Sequence, residues 1–338
     1  MYSSYSPLQQ SQLAAQGYYD TQSTYLLVYA PGRNTALRAT LADQLHRKFR
    51  LADTLGSALT EGVDGVLLVS EDVECMSTAL MCFAKALQDG ADYAVCNAVF
   101  GFGGATALYQ SRAHLAQNRC ALVSRPLLER CRAAAKDPEN VTELLALAAQ
   151  FCAHPTRIPQ ALLHYERDIC AEDAFSATGK RAFLMSHVLD MTGAPIVLVS
   201  AVPVLRSMGY EVVVLGPSDG GALQLFVDAG AAVITRPGIR ATPNLWGLAL
   251  CTNLVLVNTV VMARTVRALS GTAVPVLWWL HDAFAGYPHI AHQIPTKLAE
   301  NVRLYSVGHH AANAMHAVRP DFQIGQLIYG LPDYAAED

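Results

Sequence analysis

The sequence predicts an α/β protein whose second half is a parallel sheet covered by helices, preceded by a smaller α/β domain. Three observations predict it. Between Ala182 and Pro237, short apolar runs alternate with small-residue turns and amphipathic stretches, the pattern of parallel strands joined by right-handed helical crossovers. Glu211–Leu215 and Ala232–Thr235 are β-branched and nearly free of charge, as strands buried on both faces are. In the first half, Thr24–Ala30 and Gly65–Ser70 repeat the buried-strand signal on either side of a helical periodicity.

In chain order, Met1–Gln22 is rich in Ser, Tyr and Gln. It has neither a basic start nor an apolar core, so it reads as a flexible leader rather than a secretory signal. Thr24–Ala30 is a strand and Pro31–Asn34 a loop. Thr35–Arg50 is helical in pattern, with Leu51–Thr60 continuing it. Gly65–Ser70 is a second strand, with Glu71-Asp72-Val73-Glu74 at its carboxyl end. Ser77–Leu87 is a helix, Tyr93–Ala98 a strand, Gly101–Gly104 a loop, Ser124–Ala135 and Val141–Phe151 helices, and Arg157–Tyr165 a short strand. Ala182–His187 then starts the second half. Pro195 stands near a helix start, where its missing N–H costs nothing. That helix, with Ile196, Val197, Val199, Val204 and Leu205, ends near Met208-Gly209. Gly216–Gly220 is turn chemistry, and Ala222–Ala229 is a helix stopped by Gly230. Leu245–Ala263 carries no charge and is about long enough to span a bilayer, but Asn253 and Asn258 interrupt it. It reads as a short helix, a strand at Leu254–Val257 and a new helix.

The 338 residues leave room for two domains, and 52% apolar against 15% charged residues supply sizeable cores. A net charge of −4 without a dense Lys/Arg run argues against nucleic acid as a partner. The eight cysteines form no C-x-x-C pair and read as free thiols in a reducing cytoplasm, ahead of disulfides or metal. Gly101-Phe102-Gly103-Gly104 lacks the strand, helix and distant acid of a dinucleotide fingerprint, which argues against a nicotinamide-dependent protein. His289-x-x-His292 and His309-His310 lack a third ligand at a usual spacing and read as surface histidines.

In open α/β sheets, ligands bind beyond the carboxyl ends of the strands. That rule selects His187 with Thr192, Gly193 and Ala194, then Asn258 with Thr259, and His281 with Asp282. The Gly193 loop is either a phosphate seat at a helix start or a tight packing turn. His281 is either a functional group or a core histidine bonded to backbone. Asn258 and Thr259 are either ligand contacts or helix N-caps. Glu71 and Asp72 either hold a divalent cation or, with Glu74, cap the helix that follows them.

Gly209-Tyr210-Glu211-Val212-Val213-Val214, Ser186-His187, Leu189, Thr192–Pro195, Leu254–Thr259, Pro275–Asp282, Tyr305–Gly308 and Ile328–Pro332 together resemble the N-terminal domain of family 4, GT-B glycosyltransferases. The resemblance covers roughly Lys180 to Asp333 and implies a Rossmann-like domain at 180–333. It implies transfer of a sugar from a nucleotide sugar to a glycan or lipid-linked acceptor in polysaccharide biosynthesis. It further implies His281 and Asp282 as catalytic residues, and His187, Thr192, Gly193, Ala194, Asn258 and Thr259 as substrate-binding residues. No cofactor is required for the GT-B half. Asp282 stands where Glu is more usual. A cytoplasmic location is expected, peripheral to the inner membrane face. Residues 334–338 are expected to form a tail at a truncated linker to a donor-binding domain, with the sequence either a fragment of a longer protein or partnered by a separate donor-binding chain.

Ala30–Asn34, Glu71-Asp72, Leu122–Arg125, Ile158-Pro159 and Leu163–Tyr165 resemble, over 23–170, a shortened family 2, GT-A-like glycosyltransferase domain. It is degenerate: the strand ending in Asp-Asp-Gly-Ser is missing between Arg50 and Gly65, and Val69 or Ser70 stands where an Asp is usual. This resemblance implies a manganese or magnesium ion at Glu71/Asp72. The alternative function is a non-catalytic acceptor-binding or scaffold module that partners a complete transferase.

Overall fold

The computed structural model describes residues 18–329, except 33, 57–61, 102–105, 111–118, 176–178, 219 and 239–245. Most of the expected leader, Phe102–Gly104 and the 334–338 tail therefore lie outside the described residues. The chain forms two compact units: Met1–Gly101 with His114–Asp168, and Phe102–Ala113 with Ile169–Asp338. Strands are numbered in chain order across both.

Unit 1 holds β1 (Leu26–Tyr29), β2 (Phe49–Ala52), β3 (Gly65–Val69), β4 (Glu74–Cys75), β5 (Tyr93–Gly101), β7 (Cys120–Ser124) and β8 (Thr156–Asp168). The sheet order is β2-β1-β3-β7-β5. β1 lies parallel to β2 and β3, β7 is antiparallel to β3 and β5, and β8 runs along β5 and pairs with β4. Apolar residues of β1, β3, β5 and β7 pack with Leu127, Leu128, Leu144 and Leu145 of the helices Arg125–Ala134 and Val141–Phe151. Ser124 and Asn140 cap those helices, accepting from Leu127 N and Glu143 N. Cys75, Cys82, Cys120 and Cys131 are buried free thiols, while Cys170 and Cys251 are exposed.

The helix predicted over Thr35–Arg50 stops at Leu41. Beyond it the chain is drawn off the helix by polar groups that bond elsewhere. Gln44, fully buried, donates to Met76 O (2.9 Å) and accepts from Leu80 N (3.0 Å), and Leu45 N donates to Ser77 O (2.8 Å). His46, also buried, contacts Thr21 Oγ1 at 3.2 Å and Lys48 O at 3.1 Å. Phe49–Ala52 then joins β1 as a parallel strand, with Leu26 opposite Phe49. A strand therefore stands at Phe49–Ala52, where the helical period placed a helix and where the strand of the family 2 pattern, the one ending in Asp-Asp-Gly-Ser, reads as missing from the sequence after Arg50. It is followed by a single acid, Asp53, which pairs with Arg38 at 2.7 Å. β7 was not foreseen either, and β8 is longer than Arg157–Tyr165.

Unit 2 is a Rossmann-like α/β fold. Its strands are β6 (Thr106–Gln110), β9 (Lys180–Met185), β10 (Tyr210–Gly216), β11 (Ala232–Thr235), β12 (Leu254–Asn258), β13 (Val276–Leu280), β14 (Val302–Ser306) and β15 (Ile324–Gln326). Their order is β15-β14-β13-β12-β9-β10-β11-β6, parallel up to β11, with β6 antiparallel at the end. The helix Gly193–Ser207 buries Val197, Leu198, Val202 and Leu205 against Leu184, Val212, Val214 and Leu256, with Phe226 and Val227 of the helix Ala222–Asp228 alongside. The uncharged 245–263 stretch divides into the helix Trp246–Leu250, β12 and a 3-10 turn at Val260–Met262. Among the described residues no helix is long and apolar enough to cross a membrane.

The loop after β9 is fixed by two glycines. A Cβ on Gly216 would sit 2.4 Å from the Leu189 side chain, and one on Gly220 would sit 2.1 Å from the Leu189 carbonyl oxygen. Ala222 N also donates to that oxygen at 2.9 Å. Gly220→Ala is expected to lower stability by about 1–3 kcal/mol, because the atom it meets is backbone and cannot swing away. Urea unfolding of the purified variant measures this.

Candidate functional site

The predicted residues of unit 2 gather at the carboxyl edge of its sheet. β9 gives way to Ser186, whose hydroxyl donates to Val188 O at 2.6 Å, and to half-buried His187. Thr192 precedes the helix Gly193–Ser207, but its hydroxyl turns to Asp190 rather than capping the helix. Thr192 and Gly193 are exposed. Asn258 ends β12 fully buried, and its Nδ2 donates to Ala194 O at 3.0 Å, joining the strand end to the helix start. Among the described residues its Oδ1 has no hydrogen-bond partner. Asn258 caps no helix, and Thr259, which precedes the 3-10 turn, provides no side-chain cap either.

Thr259 has φ 72° and ψ 160°, the one non-glycine at positive φ among the described residues. A β-branched residue held there stores strain of roughly 1–3 kcal/mol. Both sides of its backbone are clamped: Thr259 N donates to Trp279 O (2.8 Å), and Trp278 Nε1 donates to Thr259 O (2.7 Å). Its hydroxyl lies 3.3 Å from His187 Nδ1. Asp282 Oδ2 accepts from Val260 N at 2.6 Å. Burial raises the Asp282 pKa, against the opposing effects of the Val260 N–H and His187.

His281 follows β13, its ring 4.8 Å from that of Trp279. Burial, aided by His187, lowers its pKa to about 4. Its Nε2 is buried and has no hydrogen-bond partner among the described residues, so it is not a core histidine tied to backbone through that nitrogen. Tyr287 also belongs here. It is 2% exposed, its hydroxyl has no partner among the described residues, and burial followed by the Asp282 charge raises its pKa. No spacing in the sequence marks Tyr287. It reaches the site through the 3-10 turn Phe284–Gly286 that follows Asp282.

Neutral His281 makes stability depend on pH. Between its ordinary pKa and about 4, the unfolded chain binds a proton that the native chain refuses. The stability is complete above the unfolded value and falls as pH drops toward 4, by about 3 kcal/mol in all. Asp282, shifted the opposite way, offsets part of this loss. His281→Phe is expected to flatten the acid limb of a melting-temperature profile against pH.

The acids of unit 1 are committed one by one. Asp72 accepts from Thr35 Oγ1 (3.0 Å), Ala36 N (3.1 Å) and Leu37 N (3.0 Å). It does cap a helix, but the one at Thr35–Leu41 rather than the one that follows it. Burial raises its pKa, and these hydrogen bonds together outweigh it and bring it below the usual carboxylate value. Glu71 pairs with Arg167 at 2.7 Å, and Glu74 with His164 Nδ1 at 2.7 Å. Among the described residues no three His, Cys, Asp or Glu side chains gather to hold a metal. Glu71 and Asp72, each bound to a different internal donor, do not fit the cation that the sequence suggested for them. His289, His292, His309 and His310 are exposed. Asp72→Asn is expected to cost about 1 kcal/mol in urea unfolding at neutral pH, with the difference from wild type closing as pH falls through the carboxylate range.

Residues 178–316 match the family model described as Glycosyl-transferase family 4. That segment contains His187, Thr192–Ala194, Asn258, Thr259, His281 and Asp282. It leaves out Glu71 and Asp72, and the GT-A-like reading of 23–170 gains no support. No curated protein matches the chain in sequence. Among solved structures, an alpha-glucosyltransferase in complex with UDP-glucose and DNA containing an abasic site is similar at 12% identity and a TM-score of 0.30, over 44% of this chain and 42% of that one. The chain thus spans less than half the length of that protein. The glycosyltransferase GlyE of Streptococcus pneumoniae TIGR4 is similar at 8% identity and a TM-score of 0.22, over 81% of this chain and 90% of that one. Neither likeness carries an argument about the chemistry of this chain.

Proposed function

We propose that this chain takes part in glycosyl transfer, with unit 2 as the half that meets the acceptor and the sugar moving from a nucleotide sugar to a glycan or lipid-linked acceptor. The observation that carries this reading is a coincidence of two independent facts. The segment matching the glycosyl-transferase family 4 model is also the segment whose strand ends bring His187, Asn258, Thr259, His281 and Asp282 to one edge. At neutral pH His281 is uncharged, so it serves the reaction through hydrogen bonding rather than as a cation. Asp282, next to it and anchored by Val260 N, holds a carboxyl group beside the reacting centre in this reading. The exposed start of the helix Gly193–Ser207 supplies backbone N–H groups suited to a phosphate.

The test is transfer of labelled sugar from UDP-, GDP- and TDP-sugars to oligosaccharide and polyprenyl-phosphate acceptors, with isothermal titration of each nucleotide sugar alongside. His281→Ala is expected to lower turnover by about 100-fold. If no nucleotide sugar binds and no label moves, transfer by this chain is ruled out. Acceptor binding without nucleotide-sugar binding would instead favour a non-catalytic acceptor-binding module. The internal commitment of Glu71 and Asp72 favours that second reading for unit 1.

A further inference from the structure

Thr259, at φ 72° and ψ 160°, occupies a region that glycine enters freely and other residues almost never do. The outlier raises the question of what this side chain supplies that glycine would not. The backbone bonds are not the answer. Thr259 N to Trp279 O, Trp278 Nε1 to Thr259 O and Val260 N to Asp282 Oδ2 all use main-chain atoms of residues 259 and 260, and a glycine would keep them. The threonine adds a methyl group and a hydroxyl.

Among the described residues the hydroxyl has one hydrogen-bond partner, His187 Nδ1 at 3.3 Å. Either atom could donate across that gap, and a count of donors separates the two cases. Thr259 is 1% exposed. If Nδ1 carried the ring proton, the hydroxyl would accept, and its own proton would be buried without an acceptor. If the hydroxyl donates, both atoms are satisfied. Buried donors are rarely left without a partner, which assigns the bond as Thr259 Oγ1–H donating to the lone pair of Nδ1. The neutral imidazole then holds its proton on Nε2.

We infer that Thr259 is a positioning residue, whose strained backbone delivers a hydroxyl that fixes neutral His187 as the Nε2–H tautomer and orients its ring. The consequence for turnover rests on the transfer reaction proposed above; the tautomer does not. In that reaction His187 is a hydrogen-bond donor through Nε2, and Thr259 acts through His187 rather than on the ligand.

The experiment uses the full chain labelled with nitrogen-15, at pH 8, above the usual histidine pKa of about 6.5. Long-range proton–nitrogen spectra separate the two tautomers, and the loss of its signals in His187→Gln assigns the ring. The wild-type ring is expected to show one tautomer, protonated at Nε2. Thr259→Val keeps the branched shape without the hydroxyl, and is expected to bring the two ring nitrogens toward a common averaged shift. Thr259→Ser returns the hydroxyl and is expected to restore the single tautomer, a rescue that a merely structural threonine would not produce. The strain is read separately. Glycine ordinarily destabilises a chain relative to alanine, yet here Thr259→Gly is expected to unfold at a higher urea concentration than Thr259→Ala. The inference is overturned if the wild-type ring is protonated at Nδ1, if Thr259→Val keeps a single Nε2–H tautomer, or if Thr259→Ala is the more stable of the pair. Should Thr259→Val fail to fold, Thr259→Gly takes its place in the comparison with Thr259→Ser. In labelled-sugar transfer, Thr259→Val is expected to lower kcat about tenfold with KM little changed, the worth of one hydrogen bond. An unchanged kcat beside an active wild type also overturns the inference. A wild-type chain that moves no label removes the transfer reading, while the ring spectra still decide the role of Thr259.

Discussion

The carboxyl edge of unit 2 depends on how Thr259 is held. Its backbone lies in a region that a β-branched side chain avoids, and it stays there because neighbouring tryptophans bond both its N–H and its C=O. Trp278 is fully buried and Trp279 nearly so, which makes the clamp rigid. From this one residue the rest of the edge takes its positions. The Thr259 hydroxyl reaches His187, the next peptide donates to Asp282, and the preceding residue ties β12 to the helix start at Ala194. A strained residue whose every polar group is engaged fixes several side chains at once.

Burial sets the charge on this edge. It drives His281 to the neutral form and makes ionisation harder for Asp282 and Tyr287, so the groups most able to react are also those least supplied with water. Unit 1 shows the opposite arrangement. Its strand-end acids are satisfied by a helix start, an arginine and a histidine, and their capacity is already used within the fold. Acids in similar positions at strand ends thus stand in very different electrostatic states.

The parallel sheet of unit 2 was legible because its signals are local. Ala232–Thr235 is uncharged and β-branched, and its strand limits match those read from the sequence. The carboxyl-edge rule then placed His187, Asn258 and His281 without any knowledge of packing. The sequence misled where tertiary bonds overrode local period. Thr35–Arg50 has a helical pattern, yet buried Gln44 and His46 find their partners outside a helix, and Phe49–Ala52 pairs as a strand. Which helix Asp72 caps was equally hidden, since its partners lie 35 to 37 positions away. Tyr287 left no trace in spacing or composition because its role depends on where a short turn delivers it.

The cysteines have one further consequence. Cys75, Cys82, Cys120 and Cys131, all in unit 1, are shut away from solvent, and burial pushes the first two thiols up to about 12 and about 11. Cys170 and Cys251, in unit 2, stand in the open. Among these six, an alkylating reagent therefore meets two populations: one it can reach on the native surface, and one it reaches only as often as unit 1 opens. The chain carries its own clock for breathing motions, with the reporters already installed by its sequence.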